Sequence, residues 1–175
     1  MYEDIYRIPG LIRVPGGPAQ RRNEFASLVD LAPTILELAG AEPVEAHDGR
    51  SLVPLLAGAE EVEPAWRQQI VAEFHGHHFP HSQRMLRDER YKLVYNPESV
   101  HELYDLHVDP AELHNVYAAP SYRAVRDDLE LRLYRELVER GDPAHTWMTY
   151  MNHVGDERAP DVDGVADAVA SGPAG

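Results

Sequence analysis

The sequence contains no cysteine. That excludes disulfides, thiolate metal sites and a cysteine-derived nucleophile, and it leaves the redox compartment open. No apolar run approaches the roughly 18 residues that a membrane-spanning helix needs. The first residues, "MYEDIYRIPG", show no basic segment followed by an apolar one, so no secretory leader is visible. Positive charge is scarce: 16 Lys and Arg stand against 30 Asp and Glu, a formal net charge of −14. A field of that sign disfavours nucleic acid and anionic lipid as partners. The expectation is a cytoplasmic chain with no nucleic-acid and no membrane partner. Internal repeats are also lacking.

What is there fits a globular protein of 175 residues, 43% hydrophobic and 26% charged, long enough for one domain or for one domain and a small subdomain. "LIRV" (Leu11 to Val14) reads as a short strand stopped by Pro15-Gly16-Gly17, and "NEFASLVD" (Asn23 to Asp30) as another. In "DLAPTILELAG", Asp30 can cap a helix, Pro33 falls in its first turn and Gly40 ends it. Residues 41–65 read as connection. Strand patterns follow in "QQIVAEF", "QRMLR", "RYKLVYN" and "HELYDLHVDP", with Asp88-Glu89 as a hairpin turn. A helix is predicted from about Ser121 to Arg140, with Val125, Leu129, Leu133 and Leu137 on the face that covers the sheet and Gly141 as its stop. The tail, small and acidic, reads as disordered from about Gly155.

Two clusters invite a chemical reading. Arg84, Arg87, Arg90 and Lys92 form a local basic spot. The stretch "AEFHGHHFPHSQRML" (Ala72 to Leu86) holds His75, His77, His78 and His81. Helical spacing of His77 and His81 would bring two imidazoles together, but Gly76 and Pro80 oppose a helix there, and the cluster itself holds no carboxylate. No metal site and no catalytic residue are assigned. A weak histidine-loop metal binder is kept as an alternative.

Five segments occur in an order similar to the C-terminal portion of the sulfatases: "MYEDIYRIPGLIRVPGG", "SLVDLAPTILELAG", "DGRSLVPLLAG", "RMLRDERYKLVYN" and "ELYDLHVDPAELHN". That family belongs to the alkaline-phosphatase-like superfamily, together with phosphonate monoester hydrolases. The resemblance implies an α/β fold: a partial edge of a doubly wound sheet in residues 1–65, then a small antiparallel sheet covered by one long helix in 66–140, then a tail, 141–175. It also implies a longer parent enzyme that hydrolyses sulfuric esters with formylglycine and a divalent cation, calcium or magnesium. The formylglycine motif, the paired aspartates and the metal segment of that family are missing, and its lysine would lie upstream of Met1. The chain alone is therefore expected to be inactive, as a gene fragment or as a stand-alone module pairing with a separately encoded N-terminal half. A phosphonate or phosphate ester hydrolase is the alternative parent.

Within the resemblance, the histidine loop leads toward the mouth of the active site. His75 and His77 are the substrate-binding candidates, as groups able to donate hydrogen bonds to a sulfate ester or a sugar. Asp105, Asp109 and Glu112 read as turn and cap residues rather than a carboxylate site, and Asp30 as a cap rather than a catalyst.

Overall fold

Short apolar runs in the middle of the chain build a four-stranded antiparallel meander, and each strand follows its neighbour in sequence. A computed structural model describes residues 1–42, 47–57, 66–76 and 82–152. The strands are β1 (Gln69–His75), β2 (Ser82–Asp88), β3 (Tyr91–Tyr95) and β4 (Glu102–Asp105), in the order β1-β2-β3-β4. The helices are α1 (Glu3–Tyr6), α2 (Leu31–Leu38), α3 (Val53–Leu56), α4 (Arg123–Glu139) and α5 (Ala144–Trp147), the last running into a π-helical turn, Met148–Asn152. No helix among the described residues is long and apolar enough to cross a membrane. The chain divides into two units, residues 1–7 with 71–175, and residues 8–70.

In the first unit the pairing register decides which residues are core. Leu86 opposes Leu93, and Leu93 opposes Leu103, so three leucines form a row across three strands. Leu129, Leu133 and Leu137, four residues apart on α4, close over that row together with Tyr95, Tyr134 and Met148. Gly141, at φ +66°, ends the helix where a side chain would be strained. The β2–β3 turn contains neither Gly nor Asn. The Asp88 carboxylate replaces them by accepting hydrogen bonds from the backbone N–H groups of Arg90 and Tyr91. Arg132 of α4 reaches the same carboxylate at 2.8 Å.

The opposite face of the sheet carries a second row, Arg87, Lys92 and Tyr104. Residues 1–7 return to this face. Lys92 is fully buried and donates to Glu3 at 2.8 Å, to Glu112 at 2.6 Å and to the Met1 carbonyl at 3.1 Å. The Glu112 carboxylate also accepts the Glu3 backbone N–H at 2.6 Å, and Tyr2 packs against Tyr104. Glu112 adopts φ +55°, a left-handed conformation that its two partners hold in place. It is thus a long-range anchor and not the local turn ligand expected of it, whereas Asp109 does close its own turn on the His114 N–H.

The second unit is held mainly by polar staples. Buried Asp30 accepts the Ser27 N–H at 2.7 Å, the Arg50 N–H at 2.8 Å and an Arg67 N–H at 2.6 Å. Thr34 accepts the Leu52 N–H at 2.8 Å and donates to the Asp30 carbonyl. Gly49 approaches Val29 so closely that an added Cβ would lie 2.0 Å from its carbonyl oxygen. The "VDLAPT" and "DGRSL" segments therefore form one structure.

The α/β class and the helix-covered antiparallel sheet hold, but several local expectations do not. Leu11–Val14 is not a strand. It is unpaired chain that ends in a turn, with Gly17 N–H on the Val14 carbonyl and Gly16 at φ +77°. Asn23–Asp30 ends in a 3₁₀ turn, Leu28–Asp30, because the Asp30 side chain folds back on Ser27. The last strand stops at Asp105, where its carboxylate takes the His107 N–H and turns the chain early. The tail expected to be disordered lies outside the described residues.

Candidate functional site

The ends of β1 and β2 bring five polar side chains into one hydrogen-bonded line. Strand alternation places Glu73 and His75 on one side of β1, and Ser82 and Arg84 on one side of β2. His75 Nε2 lies 3.1 Å from a Glu73 oxygen, and its Nδ1 lies 3.3 Å from Ser82 Oγ. The pattern fits the tautomer in which Nε2–H donates to Glu73 and Nδ1 accepts from the Ser82 hydroxyl. Ser82 Oγ accepts a hydrogen bond from Arg84 Nη1 at 2.7 Å.

Arg84 ends the line in the interior. Its Nε and Nη2 grip both oxygens of Asp142, at 2.5 and 3.0 Å, and Nη1 also donates to the Gln83 carbonyl. Asp142 follows the end of α4 and accepts the Ala144 N–H at the start of α5. Burial pushes the Asp142 carboxyl upward, but the hydrogen bonds from Arg84 and Ala144 outweigh it and hold the group below the usual carboxylate range.

The chemistry divides accordingly. Arg84 is buried, and its donors are spoken for, so it positions Ser82 and is not an open anion ligand. His75 is the most exposed member, 63% accessible at the side chain against 49% for Glu73. Its bonds to Glu73 and Ser82 are solvated and weak enough to yield to a ligand.

Of the two expected binding residues, the structure places His75 at the rim of the sheet, while His77 lies outside the described residues with His78 and His81. Sequence reasoning missed Glu73, Ser82, Arg84 and Asp142 as its supports. The period-two pattern of β1 and β2 carried the signal for the first three, whereas the Arg84–Asp142 pair joins residues 58 apart. The expected basic spot is dispersed. Arg84 pairs with Asp142, Arg90 with Asp105, and Arg87 and Lys92 with Glu3 on the opposite face.

Among the described residues no three His, Asp or Glu side chains converge to hold a metal ion. The sequence supplies neither a cysteine nor a Ser-x-Pro-x-Arg segment to become formylglycine. The described residues therefore do not fit the sulfatase metal, and the sequence does not fit formylglycine.

Residues 1–139 match the family model described as N-sulphoglucosamine sulphohydrolase, C-terminal. The N-acetylglucosamine-6-O-sulfatase of Bacteroides thetaiotaomicron is 31% identical, over 74% of this chain and 24% of that protein. A crystal structure of a putative sulfatase from the same species matches with a TM-score of 0.61 at 30% identity, over 67% of this chain and 25% of that one. The phosphonate monoester hydrolase of Agrobacterium radiobacter matches with a TM-score of 0.57 at 32% identity, over 64% and 25%. The chain spans about a quarter of the length of these relatives.

Proposed function

Because the chain belongs to the N-sulphoglucosamine sulphohydrolase C-terminal family, we propose that it acts as the C-terminal portion of a sulfuric ester hydrolase. Its part is scaffold and one rim of the substrate pocket. The single observation that carries the rim is His75, an accessible imidazole held at the open end of β1 by Glu73 and Ser82. His77, two residues on, is proposed to share that rim. Hydrogen bonds from the two imidazoles would orient a sulfated sugar, while bond cleavage would rest on groups that these 175 residues lack. The metal and formylglycine of the family belong, in this reading, to the rest of the enzyme.

The purified chain is expected to show no turnover of an aryl sulfate with added calcium or magnesium. Metal-dependent turnover above buffer would overturn the scaffold role. Titration with N-acetylglucosamine 6-sulfate, followed through the histidine ring protons by NMR, is expected to shift His75 and His77. His75→Ala should weaken that binding several-fold, and unmoved histidine signals would remove the rim.

A phosphonate or phosphate ester hydrolase is the second reading, favoured by the likeness to the Agrobacterium enzyme at 32% identity. Tighter binding of a phenylphosphonate ester than of the sulfated sugar would select it.

A further inference from the structure

Three members of the polar line at the ends of β1 and β2 stand in the order carboxylate, imidazole, hydroxyl. A Glu73 oxygen lies 3.1 Å from His75 Nε2, and Ser82 Oγ lies 3.3 Å from His75 Nδ1. That is the order a hydrolytic triad requires. A nucleophile sits within hydrogen-bond reach of a base, and an acid orients the base. The ring is used in the opposite sense from the usual serine hydrolase, with Nδ1 toward the hydroxyl. Either nitrogen can serve, because neutral imidazole accepts at one and donates at the other.

The surroundings hold this arrangement in place. Arg84 Nη2 lies 3.9 Å from the same Glu73 oxygen that faces His75. Arg84 Nη1 donates to Ser82 Oγ at 2.7 Å, and Asp142 fixes the guanidinium from the interior. A cation beside a hydroxyl favours the alkoxide. Ser82 is half-buried and His75 is open to solvent, so a small ester can reach both.

We infer that Ser82, His75 and Glu73 form a reactive site that hydrolyses esters of short carboxylic acids, independently of the sulfatase reading. Ser82 Oγ attacks the carbonyl carbon while its proton passes to His75 Nδ1. The bond from that carbon to the alcohol oxygen breaks, and the alcohol leaves with the proton, so the acyl group stays on Ser82. Water then attacks the acyl carbon and gives its proton to Nδ1. The carboxylic acid departs, and the proton returns to Ser82 Oγ. Glu73 is a positioning residue, which holds Nε2–H and favours the imidazolium in both steps. A carboxylic ester suits the site because its carbonyl is neutral. Attack on a sulfate ester would bring an anion to a chain of net charge −14, at a site whose arginine is committed to Asp142.

The test uses the purified full chain with p-nitrophenyl acetate and, separately, a fluorophosphonate probe. Nitrophenol release should exceed that of an equal concentration of imidazole. Peptide mass spectrometry should find the acetyl or phosphonyl adduct on Ser82. Ser82→Ala and His75→Ala should each lower release at least about tenfold. Glu73→Gln should lower it several-fold, and Glu73→Asp should restore part of the loss. Near-UV circular dichroism would show that the variants keep their fold. Ser82→Cys, which retains a nucleophile, should still take an acyl group at that position. Release no faster than that of imidazole would overturn the inference. So would a Ser82→Ala variant of full activity with its adduct on a histidine, since an exposed imidazole reacts in that way unaided. The rim is judged separately. If the ester is not cleaved while His75 still shifts with the sugar sulfate, the reactive site fails and the rim stands. If Ser82 is acylated while the sugar sulfate leaves His75 unmoved, the rim fails and the reactive site stands.

Discussion

Lys92 is a charge buried in the middle of a sheet. Its ammonium has three donors, and Glu3, Glu112 and the Met1 carbonyl take all three. Removing the ammonium would leave two carboxylates facing each other in a desolvated space. Lys92→Ala is expected to cost about 3–5 kcal/mol in urea unfolding, and a loss below about 1 kcal/mol would show that water solvates the pair. Nothing in "RYKLVYN" announces this, because a lone Lys in an alternating strand reads as its solvent face. The partners come from sequence separations of 20 residues and more, which local patterns do not encode. Asp30 departs from its reading: its side chain makes no cap bond to α2 and turns instead to the Ser27, Arg50 and Arg67 N–H groups, none of which was legible. Asp142 and Glu3 share the acid response with Asp105 and Asp109, whose carboxyls are also held low. In Asp142 and Glu3, burial raises the carboxyl and cationic partners lower it further, Arg84 for Asp142 and Lys92 with Arg87 for Glu3, so the net shift is downward. A folded pKa below the unfolded one gives stability that is fully present above the ordinary carboxylate range, near pH 4. That stability is lost as the pH falls through the lower folded values. Unfolding free energy should therefore decline below about pH 4, and Asp142→Asn should flatten part of that decline in urea titrations repeated across pH.

Among the elements, those with strong periodicity were read correctly from sequence and those defined by partners were not. The leucines of α4 recur at every fourth residue, and β2 and β3 carry short apolar runs on either side of a tight turn, so both fold as their sequences indicate. "LIRV" has strand-like composition but, among the described residues, no neighbouring strand, and a strand exists only as half of a pair. The hairpin turn shows how an element can be closed by a side chain. Asp88 takes two backbone N–H groups and Arg132, tying the turn to α4. Asp88→Ala should cost about 1.5–3 kcal/mol, the range for hydrogen bonds to a charged group. Arg132→Ala should cost less, because its side chain is 28% exposed. Thermal and urea unfolding of the two variants would check the order. The candidate site falls between these cases. Strand alternation explains why Glu73 accompanies His75 and Ser82 accompanies Arg84, yet Asp142 enters only because α4 ends beside β2.

At the scale of the molecule, the two units obey different rules. The first has an apolar core of nine residues between sheet and helix. The second relies on Asp30 and Thr34, and keeps Leu31 and Leu38 of α2 outside while Leu52 and Leu55 are buried. The five similar segments pointed to the family and to the small sheet. They could not show that Glu112 leaves its own motif to grip Lys92 and the first residues of the chain. That clasp sets a folding order. The sheet and α4 are joined by short connections and close through contacts local in sequence, which form quickly. Glu3, by contrast, must find Lys92 at a separation of 89 positions in the chain, so its docking is expected after the barrier. Glu3→Gln should then leave the refolding rate nearly unchanged and accelerate unfolding by the whole of its destabilisation, as a stopped-flow chevron would show. The first residues of the chain thus act as a latch on a sheet already built: they govern how long the folded state lasts, not how fast it is reached.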